Sequence, residues 1–232
     1  MNKVMLELFS GSGQMAAMFE SKGWKTYTVD YNPDLEASYH LDVYSILDKE
    51  KIKELCNGVF PSVIWISPDC TTYSIAAGKL HRYKEWNLEV KPNSEYAKYC
   101  DENNSKLMDF VRSLDDNTLW FIENPRGFLR NMKFMHNLPR YTITYCQYGF
   151  AYQKPTDIWT NHPNPNFKPA CKRNSLCHES SPAKSSFAGI KSIKTVDGND
   201  RIYQRSLIPY ELCRHIYEIS EDYFKDRENN EP

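Results

Sequence analysis

The chain has 232 residues and a formal net charge of −1, a length that suits one sizeable core and leaves little room for two full domains. An apolar fraction of 41% and an aromatic fraction of 14% favour a globular protein. No stretch approaches the roughly 18 continuous apolar residues of a membrane span, so we expect no membrane partner.

The first residues enter a strand pattern directly and lack the charged and apolar regions of a signal peptide. We therefore expect the protein in the cytoplasm, including that of a phage-infected host cell. Seven cysteines, an odd number, favour reduced thiols over a disulfide framework. Nothing in the sequence indicates an oligomeric state.

Short apolar runs alternate with helical patterns through residue 160. The runs cover residues 4–9, 25–30, 62–67, 118–123, 141–146 and 157–160. This alternation predicts an α/β fold, with a doubly wound, mostly parallel sheet and helices on both faces. The periodicity also predicts a helix over 94–114 and a last helix that starts near Pro209.

A glycine-rich turn follows the first strand. Gly11 and Gly13 belong to a G-x-G-x-x-A pattern that opens a helix, and Asp30 ends the second strand. Glycines let the backbone approach a ligand, and a carboxylate at that strand end suits two ribose hydroxyls. The pattern indicates an adenosine-containing cofactor, either a nicotinamide dinucleotide or S-adenosylmethionine, although a purely structural turn looks the same. Asp42 either accepts a hydrogen bond from an adenine amino group or is an ordinary surface carboxylate.

A single cysteine, Cys70, follows the apolar run 62–66 in the stretch SPDCTTYS, residues 67–74. Glu123 follows the next strand of this type. Because the carboxyl ends of parallel strands meet at one edge of a sheet, we expect the thiol and the carboxyl to face a common cleft. A thiol there can act as a nucleophile and a carboxylic acid as a proton donor. A lone cysteine is usually a small core residue, but the polar neighbours of Cys70 favour a reactive role.

Taken together, these stretches resemble the ordered motifs of the DNA cytosine-5 methyltransferases, and most of all the compact branch that phages often encode. The matching segments are LELFSGSG at 6–13, Asp30, SPDCTTYS at 67–74, ENP at 123–125, YGFAYQKPT at 148–156 and RSLIPYEL at 205–212. The resemblance implies a Rossmann-like class I methyltransferase fold, S-adenosylmethionine as the cofactor and double-stranded DNA as the partner.

The resemblance also implies roles for single residues. Cys70 would attack carbon 6 of a cytosine flipped out of the duplex, and Glu123 would protonate or hydrogen-bond its ring nitrogen 3. Asn124 would hold the active-site loop, and Lys154 would contact the base or the backbone. The implied cofactor-binding residues are Phe9, Ser10, Gly11, Ser12, Gly13, Asp30, Asp42, Ser67 and Pro68.

Three departures from the family pattern affect this site. Lys154 and Thr156 stand where the family commonly has arginines, which weakens a charged contact to the base or the backbone, because lysine lacks the bidentate fork of arginine. Asp69 separates Pro68 from Cys70, where the family has proline directly before the cysteine. An adjacent carboxylate raises the pKa of a thiol, so either Asp69 points away or the site is tuned differently. The C-terminal Gly-Asn block of the family has no counterpart here. A loop over 75–93 is predicted to guard the gap left by the base, and its basic residues contact phosphate or are solvated: His81, Arg82 and Lys84.

Residues 161–205 are predicted to form a small, loop-rich insert that resembles a target-recognition region, whereas 1–160 and 206–232 form the catalytic domain. Eight lysines and arginines against three acids give the insert a net charge of +5 and leave the rest at −6. The asymmetry suits a phosphate-contacting surface, and equally a basic solvated loop. The insert also holds a candidate structural zinc site, with buried free thiols as the alternative: His162, Cys171, Cys177 and His178.

The sequence favours an enzyme that transfers a methyl group from S-adenosylmethionine to carbon 5 of cytosine in DNA, through a covalent cysteine adduct. A nicotinamide oxidoreductase shares the glycine turn but leaves Cys70 and Glu123 without roles. The serious alternative is a catalytically silent, methyltransferase-like module that binds DNA or a partner protein, and Asp69 together with the missing C-terminal block favours it.

Overall fold

The computed structural model describes residues 2–75, 78–85, 89–172, 175–178 and 206–230. The strands are β1 Val4–Leu8, β2 Lys25–Asp30, β3 Tyr39–His40, β4 Val63–Ile66, β5 Arg82–Lys84, β6 Val90–Pro92, β7 Leu119–Pro125, β8 Arg140–Thr144 and β9 Pro155–Thr160. The helices are α1 Gln14–Glu20, α2 Lys49–Leu55, α3 Gly78–His81, α4 Glu95–Arg112 and α5 Tyr210–Asn230. Short 3-10 turns span Val43–Ile46, Leu129–Asn131, Lys133–Met135 and Tyr145–Tyr148.

The main sheet has seven strands in the order β3-β2-β1-β4-β7-β9-β8. Strands β3, β2, β1, β4 and β7 pair in parallel, and β9 is antiparallel to both of its neighbours. The predicted doubly wound, mostly parallel sheet is therefore confirmed. The chain winds outward from β1 to β3 and then returns to β4 on the other side of β1, so the strand order reverses between β1 and β4. In open α/β sheets, ligands bind beside such a reversal, beyond the carboxyl ends of the strands.

The central strands are buried on both faces, which explains why their sequences read as continuous apolar runs rather than as alternating patterns. All residues of β1 and β4 are buried. One apolar layer packs the sheet against α2 and α4 and contains Ile52 and Leu107. The other packs it against α1 and α5 and contains Phe19 and Ile216. The sheet is thus covered on both sides, and its carboxyl edge is the place where loops converge.

Both predicted helices are present. Helix α4 lies within the predicted range 94–114 and begins after Ser94, whose hydroxyl accepts a hydrogen bond from the Ala97 amide at 3.1 Å. Such a cap satisfies one of the free amides at a helix start. Helix α5 follows Pro209, where a missing amide hydrogen costs nothing. No helix among the described residues is both long and apolar enough to cross a membrane.

Two segments differ from the predicted pattern. The strand predicted over 141–146 ends at Thr144, because Tyr145–Tyr148 form a tight turn that Gly149 closes with a left-handed φ of 94°. The loop predicted over 75–93 contains α3 and a separate two-stranded sheet of β5 and β6. Local periodicity gives no signal for either, because the elements involved are only three or four residues long.

The start of the predicted insert packs onto the main body. The Phe167 ring stacks on His215 of α5 with centroids 5.5 Å apart, and the Lys168 amide donates to the Tyr148 hydroxyl at 2.9 Å. Most of the predicted insert, residues 179–205, and Arg205 of the last motif lie outside the described residues.

Candidate active site

The loop after β4 is held by backbone contacts on both sides of Cys70. The Cys70 carbonyl accepts hydrogen bonds from the amides of Tyr73 at 3.0 Å and Ser74 at 2.8 Å. The Pro68 carbonyl accepts one from the side-chain amide of Asn124, on β7, at 2.9 Å. The loop is thus held through its backbone, and the Cys70 thiol is free and half-buried.

Gly127 allows the loop after β7 to pack directly on the cysteine loop. A Cβ atom at this position would lie 2.2 Å from the Tyr73 carbonyl oxygen, far inside van der Waals contact. The same oxygen accepts a hydrogen bond from the Phe128 amide at 2.7 Å. The sequence motifs did not predict this contact, although a glycine two residues beyond a strand end is a signal of close backbone approach.

A buried ion pair fastens the far end of the cysteine loop to α4. The Arg82 guanidinium donates to both oxygens of Asp101, at 2.7 and 3.0 Å, and to the Thr72 carbonyl at 2.6 Å. It also lies over the Tyr73 ring, 4.1 Å from the centroid. The interpretation of Arg82 as a phosphate contact is therefore wrong, because its side chain is buried and fully used within the protein. Lys84, by contrast, is exposed.

The Asp69 carboxylate binds donors in the loop itself and on α4. One oxygen accepts from the amide and the hydroxyl of Thr71, at 2.9 and 2.7 Å. The other accepts from the Tyr96 hydroxyl of α4 at 2.5 Å. These donors fix its orientation, which answers how a carboxylate is accommodated beside the cysteine.

Cys70, Glu123 and Lys154 come together at the carboxyl edge of β4 and β7. The pKa of Cys70 is raised to about 11, mainly by burial and also by the charges of Glu123 and Asp69, while the Lys154 ammonium opposes the shift. Burial likewise raises the pKa of the Glu123 carboxyl, and Lys154 again opposes the shift. The three groups therefore lie close enough to act on one another's charge.

Tyr145, which the sequence motifs did not predict, completes this group. Its hydroxyl donates to Glu123 Oε1 at 2.8 Å, and the Lys154 ammonium lies 4.4 Å from the centroid of its ring. Tyr145 thus orients both the acid and the cation. The group offers a thiol for nucleophilic attack, a carboxyl whose proton is retained to higher pH than usual, and a cation that offsets negative charge.

The turn after β1, the strand next to β4 in the sheet, forms an open cradle. Phe9, Gly11 and Gly13 have left-handed φ angles of 56°, 53° and 65°, and a Cβ at either glycine would meet no atom within 4 Å. The glycines therefore serve the sharp turn and leave space above it. The Ser10 hydroxyl is buried and finds no partner among the described residues, so it fits a polar ligand.

Asp30 supports that cradle from the end of β2. Its oxygens accept from the amides of Gly11 at 2.9 Å and Asn32 at 3.0 Å. A carboxylate has about four acceptor sites, so acceptor capacity remains for ligand hydroxyls such as those of a ribose. The residues present therefore fit a nucleoside-containing cofactor.

The other predicted cofactor residues have identifiable local contacts. Asp42 is exposed and caps the turn Val43–Ile46 by accepting from the Tyr44 amide at 3.0 Å. The Phe9 ring packs edge-on against Tyr44, with centroids 5.3 Å apart. Ser67 accepts from the Trp65 indole at 2.8 Å. Pro68 is buried and Ser12 is half-buried.

The structure brings together three of the four predicted metal residues, Cys171, Cys177 and His178, and adds Cys146 as the fourth. The assignment of His162 to this group is wrong. Its Nε2 lies 3.2 Å from the carbonyl oxygen of Ile219 in α5, and its Nδ1 accepts from the Asn164 amide at 3.1 Å. Both ring nitrogens are therefore used by backbone groups elsewhere.

Comparison with known proteins finds similarity in solved structures only, since no family model and no curated protein matches the chain. The structure of the S. pombe Dnmt2 methyltransferase is 16% identical, with a TM-score of 0.44, over 68% of this chain and 50% of that one. The Entamoeba histolytica methyltransferase EhMeth is 14% identical, with a TM-score of 0.47, over 75% and 58%. A triple mutant of Spodoptera frugiperda DNMT2 is 19% identical, with a TM-score of 0.42, over 73% and 53%.

This chain thus spans about half the length of these structures. The names of the first two describe them as methyltransferases.

Proposed function

We propose that the protein methylates carbon 5 of cytosine in double-stranded DNA, with S-adenosylmethionine as the methyl donor. The observation that carries this proposal is the meeting of Cys70, Glu123 and Lys154 at the ends of β4 and β7, beside the open turn after β1. A nucleophile, an acid and a cation next to an open glycine turn are the groups that this reaction needs.

Cys70 supplies the nucleophile. Cytosine is aromatic and its carbon 5 is a weak nucleophile, so attack of the thiolate on carbon 6 breaks the aromatic system and moves electron density to carbon 5. After methylation at carbon 5, loss of the proton from that carbon and expulsion of the Cys70 thiolate restore the ring. Cys70 is therefore released as the thiolate that attacked, and the proton from carbon 5 passes to a base.

Glu123 and Lys154 balance the charge of this step. Attack on carbon 6 places negative charge on the ring, and the protonated Glu123 carboxyl offsets it by donating to ring nitrogen 3. The raised pKa of Glu123 favours that protonated form. Lys154 stabilises the Cys70 thiolate before attack, since its charge lowers the pKa of the thiol.

Ser10 and Asp30 are the proposed contacts to the cofactor, with Phe9, Gly11, Ser12 and Gly13 shaping the turn around it. When bound, S-adenosylmethionine supplies an electrophilic methyl group. The Ser10 hydroxyl and the remaining acceptor sites of Asp30 would receive its polar groups. Asn124 acts on the loop rather than on the ligand, because it holds the Pro68 carbonyl.

Double-stranded DNA is the proposed substrate. A cytosine must then be extruded from the helix to reach the Cys70 thiol at the edge of the sheet. Extrusion costs a few kcal/mol in lost stacking and pairing. The net charge of +5 over residues 161–205 suits contact with phosphates. We propose that this segment is the small target-recognition region.

The proposal is tested by incubating the protein with labelled S-adenosylmethionine and duplex DNA. Transfer is expected for the wild type and for Cys56→Ala, a control at a buried cysteine that follows α2. Cys70→Ala should lose transfer completely while keeping its fold. Duplexes with 5-fluorocytosine should trap the wild type covalently, because fluorine cannot leave as a cation. Full activity of Cys70→Ala would remove this residue from the reaction.

A catalytically silent module is the second candidate, and one observation favours it. The pKa of Cys70, at about 11, leaves little thiolate at neutral pH. The same assay separates the two candidates. A folded wild-type protein that binds S-adenosylmethionine and DNA but transfers no methyl group at pH 7 or above would establish the silent module.

A further inference from the structure

Three cysteines and one histidine form a cluster beside the candidate active site. Cys146 lies in the turn Tyr145–Tyr148, whereas Cys171, Cys177 and His178 come from the chain segment after β9. Their ligand atoms all lie within 4.8 Å of one another. Cys146 is buried and the other three are half-buried, so the cluster sits at the boundary between the main body and the segment that follows it.

The spacing of these atoms is close to that of a tetrahedral zinc site. Zinc bonds of about 2.3 Å to sulfur and 2.0 Å to nitrogen place neighbouring ligand atoms about 3.5–3.8 Å apart in a tetrahedron. The Cys177 sulfur lies 3.7 Å from that of Cys146 and 3.5 Å from His178 Nδ1. The Cys171 sulfur lies 3.7 Å from His178 Nδ1 and 3.1 Å from Cys146.

Side-chain amides approach two of the three sulfurs. Gln153 Nε2 lies 3.0 Å from the Cys171 sulfur, and Gln147 Nε2 lies 3.4 Å from the Cys177 sulfur. Donors of this kind stabilise the negative charge of metal-bound thiolates and orient them. The Cys171 amide is also fixed, by a hydrogen bond to the Thr144 hydroxyl at 2.9 Å.

The segment that carries three of the ligands has little else to order it. Between residues 169 and 178 the described part has no helix or strand, and Leu176 is fully exposed. Ordering a segment costs about 1–2 kcal/mol per residue in backbone entropy. Four metal bonds offset such a cost where apolar burial is missing.

We propose that Cys146, Cys171, Cys177 and His178 bind one structural zinc ion in a closed Cys3His site. All four positions are filled by protein, which is the arrangement of structural rather than catalytic zinc. The site fastens the segment after β9 to the turn that contains Tyr145, the donor to Glu123. Zinc therefore supports the geometry of the candidate active site without touching the substrate.

Metal content and X-ray absorption of the purified full chain, prepared under reducing conditions with added zinc, test this proposal directly. We expect one zinc per chain and an absorption spectrum that fits three sulfur ligands at about 2.3 Å and one nitrogen at about 2.0 Å. Cobalt in place of zinc should give the strong visible absorption of a tetrahedral thiolate site.

Variants locate the site. Cys177→Ser and His178→Ala should each lose most of the bound zinc, whereas the control Cys56→Ala should keep it. The wild-type measurement stands even if a variant misfolds. A folded wild-type chain that takes up no zinc, or one in which mass spectrometry finds a Cys146–Cys171 disulfide under these reducing conditions, would overturn the proposal.

Discussion

Two buried glutamates, Glu7 on β1 and Glu123 on β7, show how position along a strand separates a structural group from the proposed acid. Through the register of β1, β4 and β7, Glu7 is level with Phe121, two residues before Glu123. Because side chains alternate between faces, the two carboxyls point to the same side of the sheet. Burial raises the pKa of both, that of Glu7 to about 8.

Their partners differ. Glu7 Oε2 accepts from the Ala16 amide at 2.7 Å, inside the first turn of α1, so its carboxyl satisfies a helix start. Glu123 accepts from a tyrosine hydroxyl and interacts with the charge of Lys154. Two residues further toward the carboxyl ends of the strands, the buried carboxyl thus has titratable side chains and a thiol around it instead of main-chain amides.

The largest expected difference between the two glutamates is in methyl transfer after each is exchanged for its amide. Glu123→Gln removes the proton donor and should reduce methyl transfer by about 10²–10⁴-fold, the usual contribution of general acid catalysis. Glu7→Gln should stay within a few-fold of the wild type in the same labelled-methyl assay. Equal losses in the two variants would mean that depth in the sheet does not separate their roles.

A smaller effect is expected in the pH dependence of stability. The folded chain holds the Glu7 proton more tightly than the unfolded chain, in which the carboxyl has its ordinary pKa of 4.5. The contribution of this group is therefore complete below pH 4.5 and is lost as the pH rises through about 8. Each pKa unit corresponds to about 1.4 kcal/mol. Urea unfolding should therefore show the wild type losing a few kcal/mol between about pH 5 and pH 8.

In Glu7→Gln that decline should be clearly flatter, with a remainder due to Glu123, whose pKa is also raised. Parallel curves for the wild type and Glu7→Gln would show that Glu7 does not titrate in this range.

The smallest effect is expected from Tyr145→Phe, which removes one hydrogen bond and leaves Glu123 in place. Since that bond lowers the pKa of Glu123, its loss should extend the protonated form, and with it methyl transfer, to higher pH. A single hydrogen bond is worth about 1 kcal/mol, so the rate at neutral pH should fall by about tenfold or less.

Tyr148→Phe is the matched control. It lies in the same turn, and its hydroxyl accepts from the Lys168 amide instead. A pH profile that shifts equally in both variants would assign the effect to the turn rather than to the contact with Glu123.

The sequence is informative where function and local pattern coincide. The strands, the glycine turn and the loop with Cys70 all carry short-range signals, and the sheet that joins them follows from the alternation of elements. The two-residue strand β3 and the reversed direction of β9 have no such signal, because both are set by pairing with distant strands.

Contacts between remote residues explain the errors at the site. Arg82 is basic and lies in a predicted loop, but Asp101, 19 positions away, draws it into the interior. The apolar pattern places Cys146 at the end of a strand, and nearness in sequence favours His162 as a ligand. In the folded chain the Cys146 sulfur lies 3.1 Å from that of Cys171, 25 positions away, whereas His162 contacts a carbonyl of α5.

The contact at Gly127 has a mechanical consequence. The backbones of the two segments that carry Cys70 and Glu123 are in direct contact and share a hydrogen bond. The two segments therefore cannot slide independently. In the proposed reaction, any opening that admits a base must therefore come from elements around this pair of segments.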